Sequence, residues 1–375
     1  MTAMKHLEFS EQISEQMIDE AKALEGLVLR VEPWNREASL DSIRHYAWGL
    51  GDGNPLYSNE EYAAKTTWRT VLAPPTFLYS SYDGAIGLGF PGVQPIYAGT
   101  SWTFHEPIRL GDRIRPEARM GAVTLHSGQH SDRFAIQRVS TDYYRESDGA
   151  LLATAEATTF RVPRAGATGG LSYEARDEQL YTEEQIESIR AHAVAESWRG
   201  SVRLTASNVA VGDAIPEVVK GPIDQITMTA YYAGCIGSPG YKASEMAWRY
   251  RTWAVNEPDR LPNNYDTTYF SERVLPSLGH QNSEVAREIG MPGAYNNGPQ
   301  KCGWMAHPVL SWMGDDAVLK NLTVRLRRPD IFGDTVWCGG TVTSVDGRSV
   351  SIDLKARNQL GDVTAEGSAV VELAE

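Results

Sequence analysis

The chain is predicted to be an α+β protein made of two copies of one unit, each a curled antiparallel sheet around a buried helix. Three observations carry that prediction. Pro107-Ile-Arg-Leu-Gly111-Asp112 reappears as Pro329-Asp-Ile-Phe-Gly333-Asp334, 222 positions on. Glu61-Tyr-Ala-Ala-Lys65 matches Glu284-Val-Ala-Arg-Glu288 at offset 223, and Thr154-Ala155-Glu156 matches Thr364-Ala365-Glu366 at offset 210. Matches in the same order along the chain mark an internal duplication. Within the first copy, helical periodicity comes first and strand alternation second, which is the order of an α+β unit.

Residues 10–25 read as a helix capped by Ser10, with Ile13, Met17, Ala21 and Leu24 on one face. A second helix spans about Ser39 to Leu50 and stops at Gly51-Asp52-Gly53-Asn54-Pro55, where glycine and Asn-Pro break helical geometry. After Ala73-Pro74-Pro75, the apolar run Thr76–Ile86 reads as a long central helix. Strands are expected at Thr100–Phe104, Arg113–Thr124, Arg133–Tyr144 and Leu151–Val162, rich in Val, Thr, Tyr and Phe and parted by Gly or Asp turns. The domains are expected at 1–165 and 211–375, joined by a linker at 166–210 in which Thr182-Glu-Glu-Gln185 forms a capping box for a helix reaching about Trp198. Tyr46-Ala47 and Leu50-Gly51 match Tyr232-Ala233 and Ile236-Gly237 at offset 186, against 223 downstream. The difference places a 37-residue insertion near 238–279, rich in aromatics and arginine. Inserts of that size inside compact domains serve as covers or interface elements.

At 375 residues the chain suits two domains, and 42 % hydrophobic with 22 % charged residues is ordinary globular composition. A net charge of −13 disfavours nucleic acid and anionic membranes as partners. Cys235, Cys302 and Cys338 lack metal-ligand or disulfide spacing, so no metal site is expected. With neither an apolar leader nor a run of membrane-spanning length in the sequence, a cytoplasmic location is expected.

The residues that carry chemistry lie at the helix break. Gly51-Asp52-Gly53-Asn54-Pro55-Leu56-Tyr57 resembles the D-x-N-P-x-H signature of the MaoC-like enoyl-thioester hydratases and dehydratases, which include the (R)-specific enoyl-CoA hydratases. Tyr46-Ala-Trp-Gly before it, Glu61-Tyr-Ala-Ala after it, Ala73-Pro-Pro-Thr76 and the Gly-Asp turns at 111–112 and 333–334 belong to the same resemblance. It covers nearly the whole chain as a tandem double hotdog. It implies that an Asp and a His activate one water, which adds to the β-carbon of a trans-2-enoyl thioester while a proton reaches the α-carbon. It also implies an oxyanion-binding N–H at the start of the central helix. No cofactor is implied beyond coenzyme A as part of the substrate.

The signature is divided between the halves. The first half has Asp52 and Asn54 but Tyr57 in the histidine position; offset 223 places His280 opposite Tyr57. The second-half counterpart of Asp52 is Ser238 or Leu275, depending on the offset used, and neither is acidic. His280 reads as a catalytic acid/base or a satisfied structural histidine. Asp52 reads as a catalyst or as the brace of its turn. Tyr57, with a phenol pKa near 10, can donate a hydrogen bond but is a poor base, or it simply packs. Gly298, before the helix Gln300–Met313, holds the oxyanion position, with Asn296 and Asn297 beside it as thioester ligands or turn formers. Trp248 in the insertion is a candidate acyl-pocket wall. Arg325 and Arg327, on an alternating strand, are candidates for the phosphates of coenzyme A.

The expected activity is hydration or dehydration at the α,β-bond of an acyl-CoA or acyl-phosphopantetheine thioester. The alternatives are a catalytically degenerate acyl-CoA-binding subunit of a hydratase complex, or an acyl-CoA thioesterase. A homodimer or higher homo-oligomer is expected.

Overall fold

The structure, a computed structural model, describes residues 10–85, 87–128, 131–163, 173–235, 242–262 and 276–374. Its framework is a single nine-stranded antiparallel sheet. The first half supplies β1 (Gln94–Phe104), β2 (Ile114–Gly128), β3 (Ser131–Arg145) and β4 (Leu151–Val162). The second supplies β5 (Ala214–Lys220), β6 (Val318–Leu326), β7 (Val336–Asp346), β8 (Ser349–Asn358) and β9 (Val363–Glu372). The order is β2-β3-β4-β1-β6-β9-β8-β7-β5, so the halves join edge to edge where β1 pairs with β6, Ser101 opposite Thr323. This is the double hotdog that the duplication predicts, and one apolar core runs through both halves.

Eight α-helices among the described residues dress the sheet: α1 (Glu15–Ala23), α2 (Leu40–Gly49), α3 (Glu60–Ala63), α4 (Glu183–Val194), α5 (Gln225–Gly234), α6 (Ser244–Asn256), α7 (Ser283–Glu288) and α8 (Gly298–Met313). The central element of the second half, α8, is buried from Pro299 to Met313, as expected of a helix apolar all round.

Among the described residues, the first half has no such helix. The expected helix Thr76–Ile86 is only a 3-10 turn, Pro75–Ser80, and Ile86 lies outside the described residues. Pro74 and Pro75 supply no N–H, and the chain turns away at Asp83-Gly84, where Asp83 accepts from the Ala85 amide (3.0 Å) and Gly84 has φ +60°. The first helix is capped by Ser14, whose Oγ accepts from Met17 N (3.1 Å); Ser10 instead donates to Pro91 O (3.3 Å). The Thr182/Gln185 capping box is present, with α4 ending at Val194.

The duplication is visible in matching hydrogen bonds. Gly111 N donates to Ala38 O (2.9 Å) and Gly333 N to Ile223 O (2.8 Å). Asp112 accepts from Arg109 N and Asp334 from Ile331 N, both at 2.8 Å. Ala73 N reaches Ile108 O (2.9 Å) and Asn296 N reaches Asp330 O (3.0 Å), which sets Pro74-Pro75 opposite Asn297-Gly298. Asn59 caps α3 as Asn282 caps α7, 223 positions on.

Helices α2 and α5 correspond at 185, one less than the sequence match suggests. The register is fixed where they cross. A Cβ on Gly49 would lie 2.7 Å from Ala230 O, and one on Gly234 would run into the His45 backbone, so glycine on each helix lets the two approach.

Candidate functional site

The two halves frame their signature segments with matching turns and differ in the side chains they carry. In the first half, α2 ends at Gly49, and Gly51 (φ +68°) turns the chain so that Asp52 N donates to Ala47 O (2.8 Å). Asp52 Oδ1 accepts from Asn54 N, and Asn54 Oδ1 accepts from Leu56 N, both at 3.0 Å. These nested Asx turns fix the loop and lead into the 3-10 turn Pro55–Tyr57. Asp52 therefore does brace its turn, while its carboxylate stays aimed at the second half. Tyr57 is buried. Burial first, then the charges of Asp52 and Asp315, push its phenol well above its ordinary pKa, so the hydroxyl remains a donor. With Asn54, Leu78, Leu310 and Met313 it lines a narrow apolar cavity of about 50 Å³.

Facing Asp52 is His307 on α8. Its Nδ1 lies 2.6 Å from Lys220 Nζ. Its Nε2 lies 2.6 Å from Glu196 Oε1 and 3.5 Å from Asp52 Oδ1. The Glu196 contact lacks hydrogen-bond geometry, and Nε2 has no hydrogen-bond partner among the described residues. Burial lowers the Lys220 pKa, with Glu196 and Asp52 pulling it back. Burial alone would raise Glu196, but the close approach of His307, with Lys220 and His192 nearby, outweighs it, and its pKa is lowered. Glu196 opens onto a cleft of about 570 Å³ floored by Pro308 and Ser311.

In the second half, the 3-10 turn Pro276–His280 places His280 against the loop entering α8. Nδ1–H donates to Tyr295 O (3.0 Å), and the ring packs on Tyr295 with centroids 4.3 Å apart. That bond fixes the tautomer and leaves Nε2 with its lone pair. Burial pushes the imidazole pKa down to about 4, against hydrogen bonds with the Tyr295 and Asn296 backbone. Gly298 opens α8; a Cβ there would collide with the Tyr97 ring. Asn296 Nδ2, Asn297 Oδ1 and Gln300 Nε2 around it are buried with no hydrogen-bond partner among the described residues. Below them, Lys301 and Asp330 form a buried ion pair, with Lys301 also donating to Arg328 O (3.3 Å). Burial raises the Asp330 pKa, and Lys301 offsets part of that.

The candidate residues thus fall into two sets: Asp52, Asn54 and Tyr57 in one loop, and His280, Asn296, Asn297 and Gly298 in the other. Ser238 and Leu275 lie outside the described residues. Trp248 is 54 % exposed on α6. The insertion leans on the first half, where Arg30 donates to Leu261 O (3.0 Å) and Lys242 Nζ sits 5.8 Å from the Trp34 ring centre. Arg325 is exposed opposite Gly99, and Arg327 is paired with Glu366 (Nε to Oε2 2.9 Å). Sequence reasoning missed His307, Lys220, Glu196 and the Lys301–Asp330 pair. The legible signal was a lysine and a histidine inside an otherwise apolar helix; their partners lie far away in sequence. No cluster of three or more His, Cys, Asp or Glu able to hold a metal occurs among the described residues, and none of their helices is long and apolar enough to cross a membrane.

Comparison with known proteins agrees with this architecture. Residues 26–154 match the family described as "FAS1-like, dehydratase domain region". A UPF0336 protein of Streptomyces coelicolor is 29 % identical over 99 residues, 24 % of this chain and 66 % of that protein, so the chain spans just under two thirds of that relative's length. The (R)-specific enoyl-CoA hydratase of Aeromonas caviae is 30 % identical over 106 residues, 28 % of this chain and 73 % of that protein. A solved "MaoC-like dehydratase" superposes with TM-score 0.64 at 16 % identity, covering 94 % of this chain and all of that one, a likeness of fold. With the duplicated hotdog and the signature loops in place, the chain belongs to the family of MaoC-like dehydratases and (R)-specific enoyl-CoA hydratases.

Proposed function

We propose that the protein hydrates trans-2-enoyl thioesters, or dehydrates the 3-hydroxyacyl products, with the second-half loop as the working site and coenzyme A as the thiol. The observation that carries this reading is His280, held in one tautomer by Tyr295 O in the loop that leads into α8. Nε2 takes a proton from water as the hydroxide adds to the β-carbon. The π electrons move toward the thioester carbonyl, whose oxygen gains charge at the Gly298 N–H and the positive end of α8. The imidazolium then returns its proton to the α-carbon. Burial holds the imidazole below its ordinary pKa, so the imidazolium gives up its proton readily.

Pro74 and Pro75 stand where the second half has Asn297 and Gly298, so the first half offers no backbone N–H at either position. That supports the second half as the place where the thioester oxygen is held. The test is a panel of trans-2-enoyl-CoA esters, following loss of the conjugated double bond and appearance of 3-hydroxyacyl-CoA. A second reading, an acyl-thioester-binding subunit without turnover, is favoured by the divided signature, since neither second-half counterpart of Asp52, Ser238 or Leu275, is acidic. It predicts saturable binding with no product. A thioesterase would release free thiol.

A further inference from the structure

We propose that Lys301 and Asp330 are the positioning pair of the second-half site. They hold the loop 295–298, which carries both the carbonyl that fixes His280 and the amide that meets the thioester oxygen. They act through that loop and not on the substrate itself. This rests on the reading of the second-half loop as the working site.

The contacts run without a break from the pair to the loop. Lys301 lies in the first turn of α8, and its buried ammonium meets the buried Asp330 carboxylate. The same Nζ donates to Arg328 O (3.3 Å), just beyond the end of β6. Asp330 joins Asn296 twice: Asn296 N donates to Asp330 O (3.0 Å), and Asp330 N donates to Asn296 Oδ1 (3.4 Å). Tyr295, one residue back, bridges to Ile331, and its carbonyl accepts from His280 Nδ1 (3.0 Å). Gly298, two residues on, opens α8, and Lys301 N donates to Asn297 O (3.1 Å) to close the turn around that glycine.

The duplicate half builds the same turn without charge. Offset 223 sets Leu78 opposite Lys301, and offset 222 sets Ile108 opposite Asp330. The main chain matches: Ala73 N donates to Ile108 O (2.9 Å), and Leu72 bridges to Arg109 as Tyr295 does to Ile331. Leu78 and Ile108 are buried and line the apolar cavity with Ala73 and Pro75. One turn is therefore made twice, once on hydrocarbon and once on an ion pair. Desolvating two ions costs several kcal/mol that their attraction only partly recovers, and an apolar pair of like volume is often the more stable. A cation in the first turn also opposes the dipole of α8. Stability alone does not account for the pair, and the half that carries it also carries His280 and Gly298.

What the pair adds is direction. An ammonium held between a carboxylate and a carbonyl fixes an orientation that apolar packing leaves free to shift. A misplacement of about 1 Å at a reacting group is enough to lower a rate on the order of 10²-fold. Asn296 Nδ2, Asn297 Oδ1 and Gln300 Nε2 have no hydrogen-bond partner among the described residues, so the loop's own side chains tie it down only in part. The anchor comes from below, through Asp330.

The test transplants the first-half solution, as Lys301→Leu combined with Asp330→Ile. Wild type and double variant are compared by urea unfolding, by kcat and KM on a trans-2-enoyl-CoA, and by nitrogen-15 NMR of the His280 ring, assigned with His280→Gln. The double variant is expected to unfold at the wild-type urea concentration or above. Its kcat should fall ~10- to 100-fold with KM changed less than ~3-fold. Its His280 should populate both neutral tautomers where the wild type holds only Nδ1–H. Wild-type kcat, or a single tautomer, in a folded double variant overturns the proposal. A double variant that fails to fold overturns it as well, because the pair would then serve the fold. A wild type that hydrates no ester removes the hydratase reading, and the ring spectrum still decides the anchor: mixed tautomers in the double variant uphold it and a single one overturns it.

Discussion

The two halves share the turns that frame their signature segments and divide the chemistry. Paired hydrogen bonds at Ala73 and Asn296, at Gly111 and Gly333, and at the caps Asn59 and Asn282 match the flanking turns of one half to those of the other. The first loop holds a carboxylate, Asp52, and two prolines where amides would be. The second holds an imidazole, His280, and the glycine that opens a sixteen-residue buried helix. Backbone geometry is set by glycines, prolines and Asx turns, and it survives while the side chains diverge. Each loop is also backed by a buried charge cluster of different make-up. One joins Asp52, Glu196, His307 and Lys220 across the halves; the other is the single pair Lys301–Asp330.

That contrast predicts the largest effect. Lys301→Met leaves Asp330 buried without its ion-pair partner and should cost about 3–5 kcal/mol. Lys220→Met should cost less, because burial already lowers the Lys220 pKa and so disfavours its charge. Urea unfolding of the two variants at neutral pH checks the order, and equal losses would mean that the two buried lysines contribute alike. Next comes His280→Ala, expected to lower long-chain turnover ~10²-fold or more, about 2.7 kcal/mol in barrier, with an unchanged melting curve. Unchanged turnover would move the chemistry to Asp52 and Tyr57.

The crossing of α2 and α5 offers a symmetric pair of smaller changes. Gly49→Ala and Gly234→Ala each press a methyl into the partner backbone and should cost about 1–3 kcal/mol. If Gly234→Ala alone is destabilising, the crossing is less symmetric than the duplication implies. The smallest effect is in pH dependence. The folded pKa of His280, about 4, lies below that of the unfolded chain, near 6.5. The unfolded state binds the proton first, so this contribution to stability is present above pH 6.5 and declines as pH falls toward 4. His280→Gln should flatten the stability curve over that window. The His280-dependent limb of the rate profile should likewise fall near pH 4 rather than near 6.5.

Much of the fold was legible because repeats and turns are local. Gly111-Asp112 and Gly333-Asp334 anchor equivalent turns, and the Thr182/Gln185 box sits where the sequence puts it. The central helix of the first half was misread because Thr76–Ile86 is apolar enough for a helix, yet a double proline and Asp83-Gly84 leave room for only a 3-10 turn. The α2–α5 register slipped by one because a Tyr-Ala match outweighed the glycines that set the crossing. The site was half legible: offset 223 picks out His280, whereas nothing local links His307 to Asp52, 255 residues earlier, or to Lys220 on β5. A charge cluster assembled from a linker, an edge strand and a core helix has no period to read.

The account stands most directly on one measurement. The wild-type protein is incubated with a long-chain trans-2-enoyl-CoA in D2O, and the products are resolved by mass and NMR. The account predicts a 3-hydroxyacyl-CoA with one deuterium at the α-carbon and no free coenzyme A, and loss of that product in His280→Ala. Recovery of unchanged enoyl-CoA, or release of free thiol, would contradict it.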